Sequence, residues 1–385
     1  MLYYLSQMVL AQVKDTPWHG VFSFLRLFGY ITFRAAGAAV TALALSLWLG
    51  PRMIAWLKET KWGQNYEDRA QELGKFPGQP SGKRGTPTMG GLMMVLVLDV
   101  TTMLWARWNT QIQLVGMTVI VLCFLGFIDD YAKINRQNSD GVQEFVKLWV
   151  QGALALFVAF YLWRLPATST LISQVMVPFY KYPVVEGTAL SAALGIILTS
   201  LTIVGSSNAV NLTDGLDGLA IGCTAIVSFV FLVLTYLSAN AKAAAYLQIP
   251  HVQGAGELTV FCAAMIGTSL GFMWFNSHPA QVFMGDTGSL PLGGVLGMIA
   301  VLIHQPLVLA LAGGVFVAEA GSVILQRSWF KFTRYKYGQG RRIFLMAPLH
   351  HHFQKLGWHE SQVVSRFYIL CVLCAVLALS TLKIR

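Results

Sequence analysis

The sequence contains few charged residues, since Asp, Glu, Lys and Arg together make up 11% of its 385 positions. Soluble globular domains carry about 25% charged residues, so this deficit excludes an ordinary soluble domain. The composition is instead 55% hydrophobic. Apolar runs near the roughly 20 residues needed to cross a bilayer recur along the chain. The composition therefore predicts a polytopic membrane protein.

Cysteine is also scarce, and the placement of the five cysteines excludes two common roles. All of them lie inside apolar runs, and none is joined to histidines by metal-type spacing. We therefore interpret them as packing residues, not as a disulfide framework or a zinc site. The first apolar run begins near Val21 and continues for about 30 residues, too long for the apolar part of a cleavable signal peptide.

Ten apolar runs are candidate membrane spans, and neither an internal repeat nor a separate soluble domain is evident. We predict an all-α polytopic membrane protein with ten transmembrane helices and a single integral membrane domain over residues 1–385. The eighth and ninth runs meet at Gln305-Pro306, where the proline could form a turn or a kink. The predicted spans are Phe22–Gly50, Gly90–Ala106, Ile112–Ile128, Val146–Trp163, Ala189–Gly205, Leu219–Ser238, Leu258–Phe275, Ser289–His304, Leu307–Gln326 and Phe367–Leu382.

Basic residues are distributed unevenly between the predicted loops. The first, third and ninth loops contain 18 of the 27 Lys and Arg residues, whereas the even-numbered loops and the two termini together contain seven. The positive-inside rule then places the odd-numbered loops in the cytoplasm and both termini in the periplasm. This topology accounts for the net charge of +10, so we expect no nucleic-acid partner.

Five of the 17 acidic residues adjoin apolar runs, where carboxylates are costly and usually mark an ion or substrate site. Asp129 and Asp130 follow the third run, Asp214 and Asp217 follow the fifth, and Asp286 precedes the eighth. Loop parity puts all five on the cytoplasmic face. Converging carboxylates suit a hard cation such as Mg²⁺, held jointly with a substrate's phosphates. The structural alternatives are a solvated helix end, an Asx-capped turn and a helix N-cap.

Three further segments are candidates for the same site, each with a structural alternative, and a fourth is a basic and aromatic stretch next to a span. Lys147 and Gln151 begin the fourth span, where a lysine can also simply snorkel. Lys83–Gly91 suits a phosphate-binding nest or a basic membrane anchor. The three histidines from His350 suit phosphate binding or proton transfer better than zinc, because consecutive residues cannot easily face one ion. Lys331–Tyr337 favours anchoring to anionic lipid.

These features together fit magnesium-assisted phosphoryl transfer at the bilayer surface, from a soluble diphosphate to a lipid phosphate. Five motifs also resemble those of the phospho-N-acetylmuramoyl-pentapeptide-transferase family, within the polyprenyl-phosphate HexNAc-1-phosphate transferase superfamily. The resemblance extends from about Val21 to Arg385. The motifs are Lys83–Gly91, Gly126–Tyr131, Asn208–Ala220, Ala280–Asp286 and Met346–Phe353.

The resemblance implies transfer of phospho-MurNAc-pentapeptide from UDP-MurNAc-pentapeptide to undecaprenyl phosphate, giving lipid I and UMP in peptidoglycan synthesis. It implies Mg²⁺, ten spans, both termini in the periplasm, and a site on the cytoplasmic face of the bacterial inner membrane. A homodimer is compatible with it. Gln354 departs from the family, which usually has an acid there, and the ninth loop is a few residues longer than usual around Arg334–Gly340.

The resemblance also implies roles for individual residues. The catalytic group would be Asp129, Asp130, Asp286, Lys147 and His350. Asp286 would also be a magnesium ligand, and Phe283 would stack on the uracil. The remaining nucleotide-binding residues would be Lys83, Asn211, Asp214, Gly215, Leu216, Asp217, Asn276, Gln326 and His351.

Three other functions stay open on the sequence. A sibling transferase that passes GlcNAc-1-phosphate to a polyprenyl phosphate would share the acidic motifs, although the three histidines favour the MurNAc-pentapeptide branch. A secondary transporter would place its ionisable groups near the bilayer midplane, whereas these acids cluster at one face. A scaffold in a cell-wall complex would need none of the five acids.

Overall fold

The computed structural model describes residues 1–60, 86–136, 141–180 and 182–383, and within these ranges the chain forms α-helices and no β-strand. Two 3₁₀ helices, Pro17–His19 and Val21–Gly29, lie between the first two α-helices. The α-helices are α1 (Leu2–Val13), α2 (Ile31–Glu59), α3 (Gly91–Trp105), α4 (Thr110–Arg136), α5 (Glu144–Arg164), α6 (Pro166–Ile172), α7 (Ala189–Thr213), α8 (Leu219–Ala239), α9 (Ala241–Leu247), α10 (Gly256–Asn276), α11 (Asp286–Leu302), α12 (Pro306–Ala312), α13 (Gly314–Tyr337), α14 (Leu349–Lys355) and α15 (Glu360–Ser380).

The described helices confirm an all-α polytopic membrane protein. Seven of them (α2, α4, α5, α7, α8, α10 and α15) are long and apolar enough to cross a membrane. The pair α12 and α13 meets the same criterion as one span, although its two parts are bent by 88°. The apolar helices α3 and α11 are shorter. The count of ten spans and the location of the termini remain predictions.

The first predicted span differs from the helix that forms. Residues Val21–Gly29 wind as a 3₁₀ helix, and α2 begins at Ile31 and continues past Pro51 to Glu59. A proline inside a helix removes one backbone hydrogen bond, which normally favours a helix end. In α2 the missing bond is the one from position 51 to the Leu47 carbonyl, and the helix continues without it. The next side chain, Arg52, donates to the Trp48 carbonyl at 2.6 Å.

Helix α11 is the centre of the bundle, because residues 287–302 are buried along its whole length and α4 and α7 pack against it. Its sequence is rich in glycine, which lets neighbouring backbones approach closely. A β-carbon at Gly293 would meet the Ser206 carbonyl of α7, and one at Gly294 would meet Leu122 of α4. Because α11 begins at Asp286, this packing holds that carboxylate against the ends of α4 and α7.

Candidate active site

Three of the five unusual carboxylates converge where α11 begins and α4 ends. Asp129, Asp130 and Asp286 each offer one carboxylate oxygen, and these oxygens all lie within 4.8 Å of one another. Asp129 and Asp130 are almost fully buried, and Asp286 is half-buried. Three carboxylates this close repel each other, so the group requires positive charge.

Two lysines supply that charge from neighbouring helices. Lys147 Nζ lies 2.8 Å from Asp129 Oδ1 and 2.9 Å from Asp286 Oδ2. Lys133 Nζ lies 2.6 Å from Asp129 Oδ2, 3.2 Å from Asp286 Oδ2 and 3.7 Å from Asp130 Oδ1. With all five groups ionised, the cluster keeps one net negative charge. Oxygen donors and a residual negative charge are what a hard divalent cation requires.

The adjacent acids Asp129 and Asp130 have different partners. Asp130 Oδ2 accepts the backbone N–H of Thr287 at 2.9 Å and its hydroxyl at 2.7 Å. It thus satisfies one of the free N–H groups in the first turn of α11. Asp129 Oδ1 accepts the Val142 N–H at 2.7 Å from the segment that leads into α5. Asp130 therefore joins α4 to α11, and Asp129 joins α4 to α5.

Asp286 is held through both of its oxygens. The two lysines contact Oδ2, and Asn211 Nδ2 at the end of α7 donates to Oδ1 at 2.8 Å. The same amide lies 2.8 Å from the Ser289 hydroxyl. Three residues earlier in α7, Asn208 donates to Gln151 of α5 at 2.7 Å. Asn211 therefore belongs to the acidic cluster, whereas Gln151 belongs to the contact between α5 and α7.

The two acids after α7 do not join the cluster of three. Asp214 and Asp217 are three positions apart, a spacing that would place them on one face of a helix. However, α7 ends at Thr213, and both acids lie in the following turn. Asp217 Oδ2 lies 3.0 Å from His278 Nδ1, and the Asp217 N–H donates to Glu360 Oε1 at 2.9 Å. Asp214 is the half-buried C-cap residue of α7.

The rest of that turn is held by α10 and α15. Asn276 Oδ1 accepts the Gly218 N–H at 3.1 Å, and its amide donates to the Val282 carbonyl at 2.8 Å. The Tyr368 hydroxyl donates to the Gly218 carbonyl at 2.6 Å. Gly218 has φ +82°, a conformation that favours glycine. Leu216 is buried in the core. The turn is consequently clamped on both sides.

Phe283 lies on the segment between α10 and α11, three residues before Asp286. Its N–H donates to the Pro87 carbonyl and its own carbonyl accepts the Gly90 N–H, both at 2.9 Å. These two hydrogen bonds hold the Phe283 backbone beside the start of α3. Lys83, predicted to bind nucleotide in the same region, lies outside the described residues.

The three consecutive histidines have three different environments. His350 Nδ1 lies 3.1 Å from Glu319 Oε2, and a β-carbon at Gly215 would overlap His350 Nε2. His351 Nδ1 lies 2.9 Å from Gln354 Oε1. The residue that departs from the family pattern therefore still pairs with a histidine, without a salt bridge.

His352 and Gln326 organise the loop that precedes the histidines. His352 Nδ1 accepts the Leu345 N–H at 3.2 Å. The Gln326 side chain accepts the Phe344 N–H at 3.0 Å and donates to the Phe344 carbonyl at 3.1 Å. Because the three imidazoles face different partners, this segment as folded does not form a three-histidine zinc site.

The predicted site omitted residues that the fold brings to it. Lys133 is the most important, and its position four residues after Asp129 on one helix was the available signal. Thr287, by contrast, could be identified only from its contact with Asp130 of α4 in the structure. The other omitted residues in contact with predicted site residues are Ser289, His278, Glu360 and Glu319.

Comparisons with known proteins identify the family. A family model described as glycosyl transferase family 4 matches residues 112–304. The phospho-N-acetylmuramoyl-pentapeptide-transferase of Syntrophus aciditrophicus is 45% identical over 373 residues, which are 96% of this chain and 98% of that protein. The enzyme of the same name from Opitutus terrae is 46% identical over 378 residues, 98% and 99% of the two chains. The chain therefore belongs to the phospho-N-acetylmuramoyl-pentapeptide-transferase family.

Proposed function

We propose that the chain transfers phospho-MurNAc-pentapeptide from UDP-MurNAc-pentapeptide to undecaprenyl phosphate, forming lipid I and releasing UMP. The observation that carries this proposal is the cluster in which Lys133 and Lys147 contact Asp129 and Asp286 at the end of membrane helices. Such a cluster can bind phosphates of a soluble donor and a lipid acceptor together, and family membership supports these substrates.

In the reaction, an oxygen of the lipid phosphate attacks the β-phosphorus of the donor. A new P–O bond forms, the bond from that phosphorus to the bridging oxygen breaks, and the electron pair leaves with UMP. Phosphoryl transfer depends mainly on positioning and charge neutralisation. Lys133 and Lys147 would stabilise the phosphate oxygens, and Asp130 would hold the start of α11, and with it Asp286, in place.

The acidic cluster also fits Mg²⁺. The close oxygens of Asp129, Asp130 and Asp286 are the ligand type that Mg²⁺ prefers, usually with waters and substrate phosphates completing its shell. We assign Asp286 as the protein ligand because it is the least buried of the three. When bound, the ion would neutralise charge on the diphosphate. Asn211 would keep the Asp286 carboxylate oriented through its bond to Oδ1.

The nucleotide end of the donor would bind at the clamped turn. Phe283 would offer an aromatic surface for the uracil, and Gly215, Leu216, Asp217 and Asn276 are assigned to the same subsite. Asn276 bonds both Gly218 in the turn and Val282, which precedes Phe283. The hydrogen bonds from α10 and α15 hold the turn in place, so this surface is pre-organised before the substrate binds. The remaining nucleotide-site assignments follow from the same motif matches and are Lys83, Asn211, Asp214, Gln326 and His351.

We place the site on the cytoplasmic face of the bacterial inner membrane, where a soluble nucleotide donor is available. Eighteen of the 27 basic residues lie in the loops assigned to that side. The acceptor's phosphate would reach the cluster from the bilayer, with its polyprenyl chain among the helices. Residues 1–385 would act as one membrane domain.

The test is acceptor-dependent UMP release by the purified full-length protein in detergent or nanodiscs. With UDP-MurNAc-pentapeptide and Mg²⁺, we expect UMP only when undecaprenyl phosphate is present. UDP-GlcNAc is the matched control donor and should give little UMP. UMP release from UDP-GlcNAc but not from UDP-MurNAc-pentapeptide would instead assign the sibling HexNAc-phosphate reaction. No UMP release from either donor would contradict the proposal.

A further inference from the structure

A buried carboxylate outside the acidic cluster contacts one of the predicted catalytic residues. Glu319 lies in α13, and its side chain is 0% exposed, while that of His350 is 1% exposed. Glu319 Oε2 lies 3.1 Å from His350 Nδ1, and Glu319 Oε1 accepts the His350 backbone N–H at 3.1 Å. Both carboxylate oxygens are therefore directed at one residue of the three-histidine motif.

This close approach favours one protonation pattern of the His350 ring. Nδ1, Nε2 and Glu319 Oε2 are all buried, and none of the three completes a hydrogen bond among the described residues. An ionised carboxylate can only accept hydrogen bonds, so a proton on Nδ1 would be attracted to Oε2 at 3.1 Å, whereas a lone pair on Nδ1 would be repelled. The second nitrogen, Nε2, lies against Gly215. Gly215 itself is exposed and belongs to the turn that follows Asn211. The reactive edge of His350 consequently faces the turn assigned to the nucleotide.

The neighbouring histidine provides an internal comparison. His351 Nδ1 lies 2.9 Å from Gln354, a neutral amide on the same short helix. His350 is instead paired with a charged group on a different helix, thirty-one positions away in the chain. A carboxylate stabilises both the orientation of an imidazole and any positive charge that it acquires, whereas an amide does only the former.

We infer that Glu319 is a positioning residue for His350, which keeps Nδ1 protonated and presents Nε2 to the phosphates of the nucleotide substrate. The inference rests on the proposed function. A purely structural role is the alternative, in which Glu319 only anchors α14 to α13. The two roles differ in what happens when both residues are changed.

The test compares Glu319→Gln, His350→Ala and the double variant. Gln has the shape of Glu but lacks its charge, so the protein should fold while kcat falls on the order of 100-fold, the scale of one proton-transfer group. The KM for the nucleotide donor should change only a few-fold. Because both residues act as one unit, the double variant should be no slower than His350→Ala alone.

Glu257→Gln is the matched control, since Glu257 is also a buried carboxylate but pairs with Arg34, away from the histidines. It should lower the melting temperature and leave UMP release per folded molecule within about two-fold, as for a change remote from the site. The positioning role is overturned if Glu319→Gln behaves like this control. It is also overturned if the losses from Glu319→Gln and His350→Ala multiply in the double variant.

A second readout does not depend on turnover. Histidine ¹⁵N NMR of the wild-type protein should show His350 protonated at Nδ1, assigned by its loss in His350→Ala, and this signal should change in Glu319→Gln. A wild-type protein that shows this signal but releases no UMP would refute the proposed reaction and leave the pairing intact. A His350 ring protonated only at Nε2 would refute the pairing. If Glu319→Gln does not fold, Gly215→Ala tests the same geometry, because its methyl group would displace Nε2.

Discussion

Lys147 Nζ lies 2.9 Å from Asp286 Oδ2, although 139 positions separate the two residues in the chain. Lys147 is on the first turn of α5, and Asp286 is the first residue of α11. Both side chains are mostly buried, with 19% and 15% of their surface exposed. The contact therefore joins two helix ends around a charged centre.

We expect Asp286→Asn to leave the protein folded and to reduce turnover by at least about 100-fold. The amide cannot provide the negative charge that a metal ligand beside a diphosphate requires, which costs several kcal/mol of barrier. UMP release at increasing Mg²⁺ concentration measures the effect. The control is Glu144→Gln, which removes an exposed acid three residues before Lys147. Turnover close to that of the wild type at saturating Mg²⁺ would rule out Asp286 as the metal ligand.

We expect Lys147→Met to lower both stability and turnover. Removing one cation leaves Lys133 as the one cation of the described residues that contacts both Asp129 and Asp286. Breaking a buried ion pair typically costs about 3 kcal/mol or more. Added Mg²⁺ should then raise the melting temperature more in the variant than in the wild type, because the ion replaces part of the missing charge. An identical Mg²⁺ response in the two proteins would show that the lysine and the ion do not share a site.

We expect Gly126→Ala to destabilise the protein and abolish activity, since the added methyl group would overlap the Asp286 carbonyl oxygen. The neighbour is backbone in a packed helix, so the overlap cannot be relieved cheaply and should cost about 1–3 kcal/mol or more. Gly116→Ala is the matched control on the same helix, because nothing lies within 4 Å of that position. Its stability should be unchanged or up to about 1 kcal/mol higher. Equal melting temperatures for the two variants would contradict this packing.

The predicted topology can be tested with two exposed tyrosines in a cysteine-free background. Tyr335 on α13 is 93% exposed and belongs to the predicted cytoplasmic side, whereas Tyr182 is 70% exposed and belongs to the predicted periplasmic side. In intact spheroplasts, an impermeant maleimide should label Tyr182→Cys at once and Tyr335→Cys only after permeabilisation. Labelling of both variants without permeabilisation would place the loop that contains the three histidines in the periplasm, away from a cytoplasmic site.

The helices were largely predictable because membrane spans are marked by length and apolarity alone. Each of the ten predicted spans overlaps a helix or the bent pair α12–α13. The start of α2 at Ile31 and its passage through Pro51 were not predicted. Arg34, in the first turn of α2, is buried against Glu257 of α10, and that contact depends on tertiary structure. The 88° bend between α12 and α13 could not be predicted from the sequence either, although Pro306 indicated a turn or kink nearby.

The acidic site was predictable as a set of residues but not as a network. Asp129, Asp130 and Asp286 could be selected because carboxylates beside apolar runs are unusual. That Asp130 bonds Thr287, while Asp217 turns away to His278, follows only from helix packing. Glu319 could be recognised as a deep acid, but its partner 31 positions away could not be read from spacing. Sequence periodicity identifies which residues share a face of one helix. Contacts between helices determine which side chains bond to each other.

The most direct test of the proposed reaction follows the β-phosphate of UDP-MurNAc-pentapeptide with a ³²P label. With undecaprenyl phosphate and Mg²⁺, the wild-type protein should move the label into the lipid fraction in a one-to-one ratio with UMP. Asp286→Asn should leave it in the donor. Without the lipid, direct attack predicts that the protein itself stays unlabelled. A labelled phospho-sugar adduct on Asp129 or Asp130, or label released into water instead of lipid, would contradict the account.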